Sequence, residues 1–424
     1  MTTLRCADVL IVGGGPAGSS LGFNLARAGI RVTVLDRARF PRSKPCAEYL
    51  SPQASRILAA MGVLDAVERS GAAQLAGMTI RAPSGECVVG EFAGCSIKGF
   101  RDRGLSVRRE ILDAILLDGA RAAGAEVREG VHVVDLAADA AGRVRGVRTA
   151  SGETLQGGLV VGADGLRSIV ARRLGVSHAA RWPRRYALVT HYRGVAGLGQ
   201  CGEMHVERSG YVGIADVGDG LTTVALVVPR RLAAGFAMGR EEFLDRWLAA
   251  RPQLAPRFAA ATRVSRVVAT GPFASRARRA FAHGAALVGD AADFFDPFTG
   301  EGIYAALRGG ELLAPFVIQS LGAATDRHAA SALAAYDRAR RREFGGKWIV
   351  EWIIGAVVGS PWLMNRAARV LAARKDMADL LVGVTGDFVP ARAVLNARYL
   401  ITLFALPHSI VASTKPASRA RRPS

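Results

Sequence analysis

The pattern of apolar and polar positions changes regime three times along the chain. Ala7 to Val12 (ADVLIV) is a short unbroken apolar run, the signature of a parallel strand buried on both faces. Leu21, Leu25 and Ala28 then recur at helical spacing until Gly29. Arg31 to Leu35 is a second strand, ending at Asp36. Together these pieces form one βαβ unit about thirty residues long. Arg108 to Ala123 reads as a helix with Ile111, Ile115 and Leu116 on one face. Glu126 to Val134 and Gly142 to Thr149 read as strands, and Leu159 to Gly162 as another buried strand. From about Arg184 to Pro229 the period falls to two. Tyr186 to Arg193, Glu203 to Val206, Tyr211 to Asp216 and Leu221 to Val228 then predict an antiparallel sheet, with Asp219-Gly220 as a hairpin turn. Glu241 to Arg251 reads as a helix, Ala285 to Val288 as a buried strand and Gly302 to Ala314 as a helix. After Ala329 the pattern is helical and amphipathic to about Leu406.

Parallel βαβ pieces interrupted by an antiparallel sheet and closed by helices predict an α/β fold of interleaved domains. A Rossmann-type, dinucleotide-binding domain is expected from residues 1–183 with 271–330, and an antiparallel-sheet substrate domain from 184–270. A helical C-terminal region is expected over 331–410, and a disordered Pro/Ser/Arg tail over 411–424.

Composition narrows the function classes. Half of the 424 residues are hydrophobic, enough for a large core, and 49 are glycine, which favours tight turns and close ligand approach. The 56 Lys and Arg against 36 Asp and Glu leave a net charge of +20. The charges are scattered, and the dense runs are only Arg338 to Arg342 and Arg419 to Arg422. A single basic face for nucleic acid is therefore not expected. Five cysteines without a C-x-x-C pair, and histidines without ligand spacing, predict neither a disulfide framework nor a metal site. With no apolar leader before Ala7 and no run of membrane-spanning length, a cytoplasmic protein is expected.

Candidate chemistry begins at Gly13-Gly14-Gly15-Pro16-Ala17-Gly18, a G-x-G-x-x-G run between a strand and a helix. Gly13 permits the tight turn, Gly15 lets backbone approach a pyrophosphate, and Gly18 lets helix pack on strand. The helix start offers unpaired N–H groups to phosphate. Asp36 ends the next strand, where a carboxylate accepts a ribose hydroxyl. Val160-Val161-Gly162-Ala163-Asp164-Gly165 and Ala286-Leu287-Val288-Gly289-Asp290-Ala291 each place an acid in a glycine-flanked turn after an apolar strand. Asp296-Pro297-Phe298-Thr299-Gly300-Glu301-Gly302 then opens a helix whose N–H groups can face an electron-rich ring edge.

These three ordered motifs resemble the FAD-dependent flavoprotein monooxygenase superfamily, which includes aromatic hydroxylases, flavin-dependent halogenases and geranylgeranyl reductases. The resemblance spans Ala7 to about Leu313. It implies FAD as cofactor and NAD(P)H as reductant without a second Rossmann domain, and no second G-x-G-x-x-G opens a helix here. By resemblance, Asp36 and the adjoining Arg37 lie at the adenosine ribose, Arg109 near the pyrophosphate and ribose, and Asp164 in the motif shared by FAD and NAD(P)H. Gly289 and Asp290 would lie at the ribityl chain, with Pro297 and the run Gly300, Glu301, Gly302, Ile303 at the flavin pyrimidine.

Pro41 to Pro52 is similar to the P-x-x-K-x-C-G-x-x-L-S-P stretch of geranylgeranyl reductases, with Ala47 in place of the usual glycine. The family's Y-x-W-x-F-P wall aligns with Tyr211-Val212-Gly213-Ile214-Ala215-Asp216, so two rings are missing and a wider slot is expected. A halogenase's W-x-W-x-I-P signature and pocket lysine are absent from this reading. Cys46 reads either as a proton donor or sulfur contact beside the flavin, or as a small buried hydrophobe. Glu301 reads as a proton relay or as a carboxylate favoured by the helix dipole. Tyr211 keeps the wall's remaining ring. His191 and His205 read as structural.

The expected function is an FAD-dependent NAD(P)H oxidoreductase that hydroxylates a lipophilic aromatic, polyketide or isoprenoid-derived substrate. Reduction of prenyl carbon–carbon double bonds is the alternative, and a non-catalytic flavin-binding module a remote one. Trp348, Ile349, Trp352, Ile353 and Val357 at helical spacing beside Arg338 to Arg342 are compatible with peripheral contact at the inner face of a membrane.

Overall fold

The computed structural model describes residues 7–179 and 184–404. The tail expected over 411–424, and the end of the helical region beyond residue 404, lie outside the described residues.

Ala7–Val12 forms the centre of a parallel sheet because Val9, Leu10 and Ile11 are fully buried and need apolar cover on both faces. Its neighbours are Thr154–Gly162 on one side and Val32–Asp36 on the other. Ala285–Leu287 and Glu126–Glu129 extend the sheet outward. Since these five strands run parallel, the turns at Gly13, Asp36, Ala163 and Val288 all emerge at one carboxyl edge, where ligands of such sheets bind. The expected strand Glu126 to Val134 divides into Glu126–Glu129 and Val133–Ala138. The second part pairs with Val144–Thr149 in an antiparallel branch.

Helix Pro16–Arg27 follows the glycine turn and packs against helix Gly302–Leu321. The approach is close because Gly310 presents no side chain: a Cβ there would lie 2.7 Å from Leu21 N and 2.8 Å from Ala17 O. Ser20 Oγ donates to Leu307 O at 2.7 Å across the same contact.

The antiparallel sheet runs in the order Thr262–Arg263, Arg185–Arg193, Leu221–Pro229, Gly210–Asp216, Cys201–Glu207, Gly77–Arg81, Cys87–Glu91. Asp219 and Gly220 both take positive φ, 55° and 68°, as a tight hairpin turn requires. The sheet was expected from residues 184–270 alone. It also takes Gly77–Arg81, paired in parallel with Cys201–His205, and Cys87–Glu91 from within 1–183. Along Gly210–Asp216 the side chains alternate. Val212 and Ile214 join a core with Leu244, Trp247 and Leu248, whereas Tyr211 belongs to the opposite face.

The C-terminal amphipathic span folds as Asp326–Gly359, Pro361–Ala373, Lys375–Thr385 and Ala397–Phe404. The first break falls at Ser360-Pro361, because proline cannot continue a helix but suits the first turn of the next. Lys375–Thr385 lies against Cys87–Glu91: Glu91 N donates to Asp379 Oδ1 at 2.8 Å, and a Cβ on Gly90 would meet Val382 at 2.4 Å. Among the described residues no helix is long and apolar enough to cross a membrane, and no side-chain group could hold a metal ion.

Candidate active site

The carboxyl edge of the parallel sheet, the inner face of the antiparallel sheet and the long C-terminal helix enclose one cavity. It holds about 2060 Å³ of empty space with its open mouth included. Its lining runs from the glycine turn at Gly15 to the start of helix Gly302–Leu321.

The glycine turn is shaped for close approach. A Cβ on Gly18 would sit 1.8 Å from Gly13 O, and one on Gly13, at φ 109°, would sit 2.4 Å from Ala163 O. Gly15 differs, because its Cβ position is open except for Arg42 Nη2 at 3.4 Å and Arg109 Nη2 at 3.9 Å. Gly15 caps helix Pro16–Arg27 without a side-chain bond, so the first N–H groups stay available to an anion beside two guanidinium groups. Gly15, Pro16 and Ala17 line the cavity, whereas Gly13 and Gly18 lie behind it and hold the turn.

Asp36 is buried, with Oδ2 accepting Gly14 N and Oδ1 accepting Ala38 N, each at 2.8 Å. The carboxylate thus fixes the turn and keeps lone pairs for a hydroxyl. Arg37 is exposed and, like Asp36, outside the cavity lining. Asp164 does not line the cavity either. Its Oδ2 accepts Ile169 N at 2.6 Å at the start of helix Ile169–Arg173, while its buried Oδ1 has no partner. Burial pushes this carboxyl up.

Arg109 is 4% exposed and grips Asp113 through two 2.8 Å bonds, with Arg42 Nη1 3.1 Å from the same carboxylate. Burial alone would lower this guanidinium's pKa, but Asp113 and the Cys46 thiol outweigh it and raise it. Cys46 lines the cavity, and its Sγ accepts Glu48 N at 3.3 Å. Glu48, held at φ 64°, accepts Arg109 N at 2.9 Å on one oxygen and meets His191 Nε2 at 2.7 Å on the other. His191, expected to be structural, has both ring nitrogens bonded, one to Glu48 and the other to Ser265.

At the far end, Gly289 (φ 63°), Asp290, Pro297, Gly300 (φ 73°), Gly302 and Ile303 line the cavity together. A Cβ on Gly300 would meet the Tyr49 ring at 2.7 Å, whereas at Gly302 the nearest atom is Phe294 at 3.9 Å. The helix start is therefore open to a ring edge. These bare backbone positions, with the anion cradle at Gly15, fit an extended dinucleotide with a flat ring system.

Tyr211, Gly213 and Ala215 line the cavity from the antiparallel sheet. Tyr211 is not free, however. Its hydroxyl donates to Asp296 Oδ1 at 2.6 Å, and Arg185 holds Asp296 Oδ2 at 2.6 Å. The wider slot expected at the missing rings is partly filled. Met204 Sδ lies 3.2 Å from a Gly213 Cβ position, and Ala215 packs with Tyr49, Leu75 and Phe92. Two lysines also reach the cavity. Lys44 lines the cavity 3.9 Å from Asp290, and Lys347 lines it while paired with Asp387. Burial lowers the pKa of both ammonium groups.

Tyr49, Glu48, Lys347 and Glu351 were not among the residues expected at the site. Glu301 is 4% exposed, and burial pushes its carboxyl up to about 7 against the pull of Lys347. A second cavity of about 930 Å³, again with its mouth, adjoins the first through Met78 and Phe298, which line both. Its walls are otherwise almost wholly apolar, from Ile354, Val357, Met364, Leu371, Leu403 and their neighbours.

The family model for an FAD binding domain matches residues 6–345. The chain is 30% identical over 363 residues to digeranylgeranylglycerophospholipid reductase of Methanothrix thermoacetophila, covering 82% of this chain and 85% of that protein. It is 37% identical over 172 residues to menaquinone reductase of Mycolicibacterium smegmatis, a match spanning 40% of each chain. The chain therefore spans less than half the length of that relative. The structure of the myxobacterial chondrochloren halogenase superposes with TM-score 0.75 at 27% identity, covering 81% of both chains. A cradle that fits a dinucleotide, a family match across four fifths of the chain and a reductase relative matched over 85% of its length agree. The chain belongs to the FAD-dependent flavoprotein monooxygenase superfamily, in its geranylgeranyl reductase-like branch.

Proposed function

We propose that the protein is an NAD(P)H-fed flavin reductase that saturates carbon–carbon double bonds in a long lipophilic, prenyl-type chain. The observation that carries this reading is the second cavity, which adjoins the first at Met78 and Phe298 and is walled almost wholly by apolar side chains. A substrate with one end at Gly300–Gly302 can run past Met78 and Phe298 into a slot that offers almost only apolar contact. FAD, when bound, supplies the hydride that such a reduction needs. Gly15, Pro16, Ala17 and Arg109 would hold its phosphates, and the start of helix Gly302–Leu321 its ring edge. The walls of Tyr211, Met204 and Phe273 exclude water from the reacting end.

Hydroxylation was expected from a widened slot, and Met204 beside Gly213 fills part of that slot. The names of the two reductase relatives lend further support to reduction. Exposed Ile349, Trp352, Trp362 and Ile401, at 52%, 58%, 61% and 63%, lie on the helices around the apolar cavity. Arg338 and Arg342 continue the Ile349–Trp352 stripe, and this combination supports contact with an anionic lipid surface as the source of substrate.

The test is turnover without oxygen. Anaerobic holoenzyme given NADPH and a prenyl lipid is expected to return a product heavier by one H₂. An oxygenated product formed only in air would replace this reading with hydroxylation.

A further inference from the structure

Where the two cavities adjoin, the pair of residues that lines both differs in stiffness. Phe298 is 7% exposed, and its ring meets the Tyr211 ring edge-on, with centroids 5.0 Å apart and planes at 81°. Its N–H donates to Asp296 Oδ1 at 3.1 Å, and Tyr211 and Arg185 hold the same carboxylate. Phe298 is therefore fixed through both ring and backbone. Met78, on strand Gly77–Arg81, is half-buried, unbranched and free of any such tie. The sheet register sets a glycine directly beside it on each neighbouring strand, Gly202 on one and Gly90 on the other. A side chain directly opposite in a sheet ordinarily packs on its partner and limits it. Glycine offers no such wall.

The two glycine gaps are unequal. A Cβ on Gly90 would lie 2.4 Å from Val382 and 2.8 Å from Ala378 O, so helix Lys375–Thr385 already fills that side. A Cβ on Gly202 would instead meet Met78 itself, 3.1 Å from Sδ and 3.8 Å from Cε. The thioether thus lies over Gly202, in space that any other residue would occupy. Gly202 lines the main cavity alone and Val382 the second alone. The travel open to Met78 therefore runs from a wall of one cavity towards a wall of the other. Methionine, with three rotatable bonds, is suited to such a swing. It packs against both neighbouring cores, one with Leu75 and Ala215 and one with Met364 and Leu371.

We propose that Met78 is the residue that sets chain-length specificity, an assignment that rests on the reductase reading above for the identity of the chain. Folded over Gly202, its thioether leaves the way past Phe298 open; displaced from Gly202, it closes that way. A short prenyl chain fits the main cavity and reacts without reaching the neck. A longer one must pass between Met78 and Phe298 to seat its remainder on the apolar walls beyond. Contact in the second cavity then raises kcat/KM for the long chain only.

The experiment gives the full-length anaerobic holoenzyme NADPH and either a geranyl or a geranylgeranyl ether of glycerol. The same protein is titrated with cis-parinaric acid, a straight fluorescent polyene, as a binding probe. Met78→Phe blocks the neck and is expected to lower kcat/KM about tenfold for the geranylgeranyl ether and less than about twofold for the geranyl ether. Gly202→Ala, which pushes the thioether off its seat, is expected to cost the long chain alone about threefold. In a Met78→Ala background the same Gly202→Ala is expected to change nothing, because the side chain it acts on is gone. Parinaric acid is expected to bind more weakly to both single variants. Equal loss for the two ethers, loss for neither, or a Gly202→Ala effect that survives in Met78→Ala overturns the proposal. A wild type that saturates neither ether, while parinaric acid affinity still falls in Met78→Phe and Gly202→Ala, overturns the reductase reading and upholds the gate. Unchanged affinity in such a protein overturns both.

Discussion

The Tyr211 hydroxyl donates to Asp296 across 2.6 Å, which ties the inner face of the antiparallel sheet to the loop that starts helix Gly302–Leu321. Phe298 N donates to the same oxygen at 3.1 Å, and Arg185 holds the other. Tyr211→Phe removes one of three donors and leaves Asp296 still paired. A stability loss of about 1 kcal/mol is expected in urea unfolding, with kcat changed by less than about threefold. Loss of turnover without loss of stability would instead make Tyr211 a participant in the chemistry.

The glycine turn separates folding from cofactor grip. Gly18→Ala puts a methyl 1.8 Å from Gly13 O, so the turn must open and soluble yield is expected to fall. Gly15→Ala meets nothing nearer than 3.4 Å. It is expected to fold with near wild-type thermal stability yet retain FAD at least tenfold more weakly, read by flavin fluorescence on dilution.

Arg109 and Asp113 form a buried, doubly bonded pair. Asp113→Ala strands a guanidinium in a dry site and is expected to cost about 3–5 kcal/mol. Thermal unfolding of the apoprotein measures this, and an unchanged midpoint would show that Arg42 and Glu48 leave Arg109 room to reach water.

Two carboxyls give opposite pH limbs. Glu301, raised from 4.5 to about 7, stabilises the fold most when protonated. Its contribution is full below about 4.5 and is lost as pH rises through about 7. Burial alone would raise Glu203, but hydrogen bonds from His205 and Arg257 carry it from 4.5 down to about 2. Its contribution is present above about 4.5 and lost as pH falls through about 2. Chemical unfolding across pH is expected to lose the upper limb in Glu301→Gln and the lower limb in Glu203→Gln.

Trp352→Ser with Trp362→Ser is expected to weaken binding to anionic vesicles at least tenfold while sparing turnover of a detergent-dispersed substrate. Equal binding of the double variant in a flotation assay would remove the membrane from the picture.

Much of the nucleotide half was legible because its signals are local. Gly13, Gly15 and Gly18 lie within six positions, and Asp36 closes the next strand, so strand, turn and helix announce themselves. The pairing of Gly77–Arg81 with Cys201–His205 carries no local mark, since a parallel partner can lie anywhere in the chain. Tyr49 and Glu351 were hidden for the same reason: each reaches the cavity only through the fold. A faint signal existed, because Glu351 interrupts the most apolar stretch of the C-terminal region, between Val350 and Trp352. A charge there needs either solvent or a partner, and the fold supplies Lys347.

The borrowed strands Gly77–Arg81 and Cys87–Glu91 have a practical outcome for anyone dissecting the molecule. A fragment beginning at residue 184 would expose the bare edge of Cys201–Glu207, and one ending at 183 would carry a two-stranded pair whose Gly77–Arg81 edge has lost its partner. The two halves are sewn through each other, so shortening the chain at their nominal seam yields two sticky pieces and no working one.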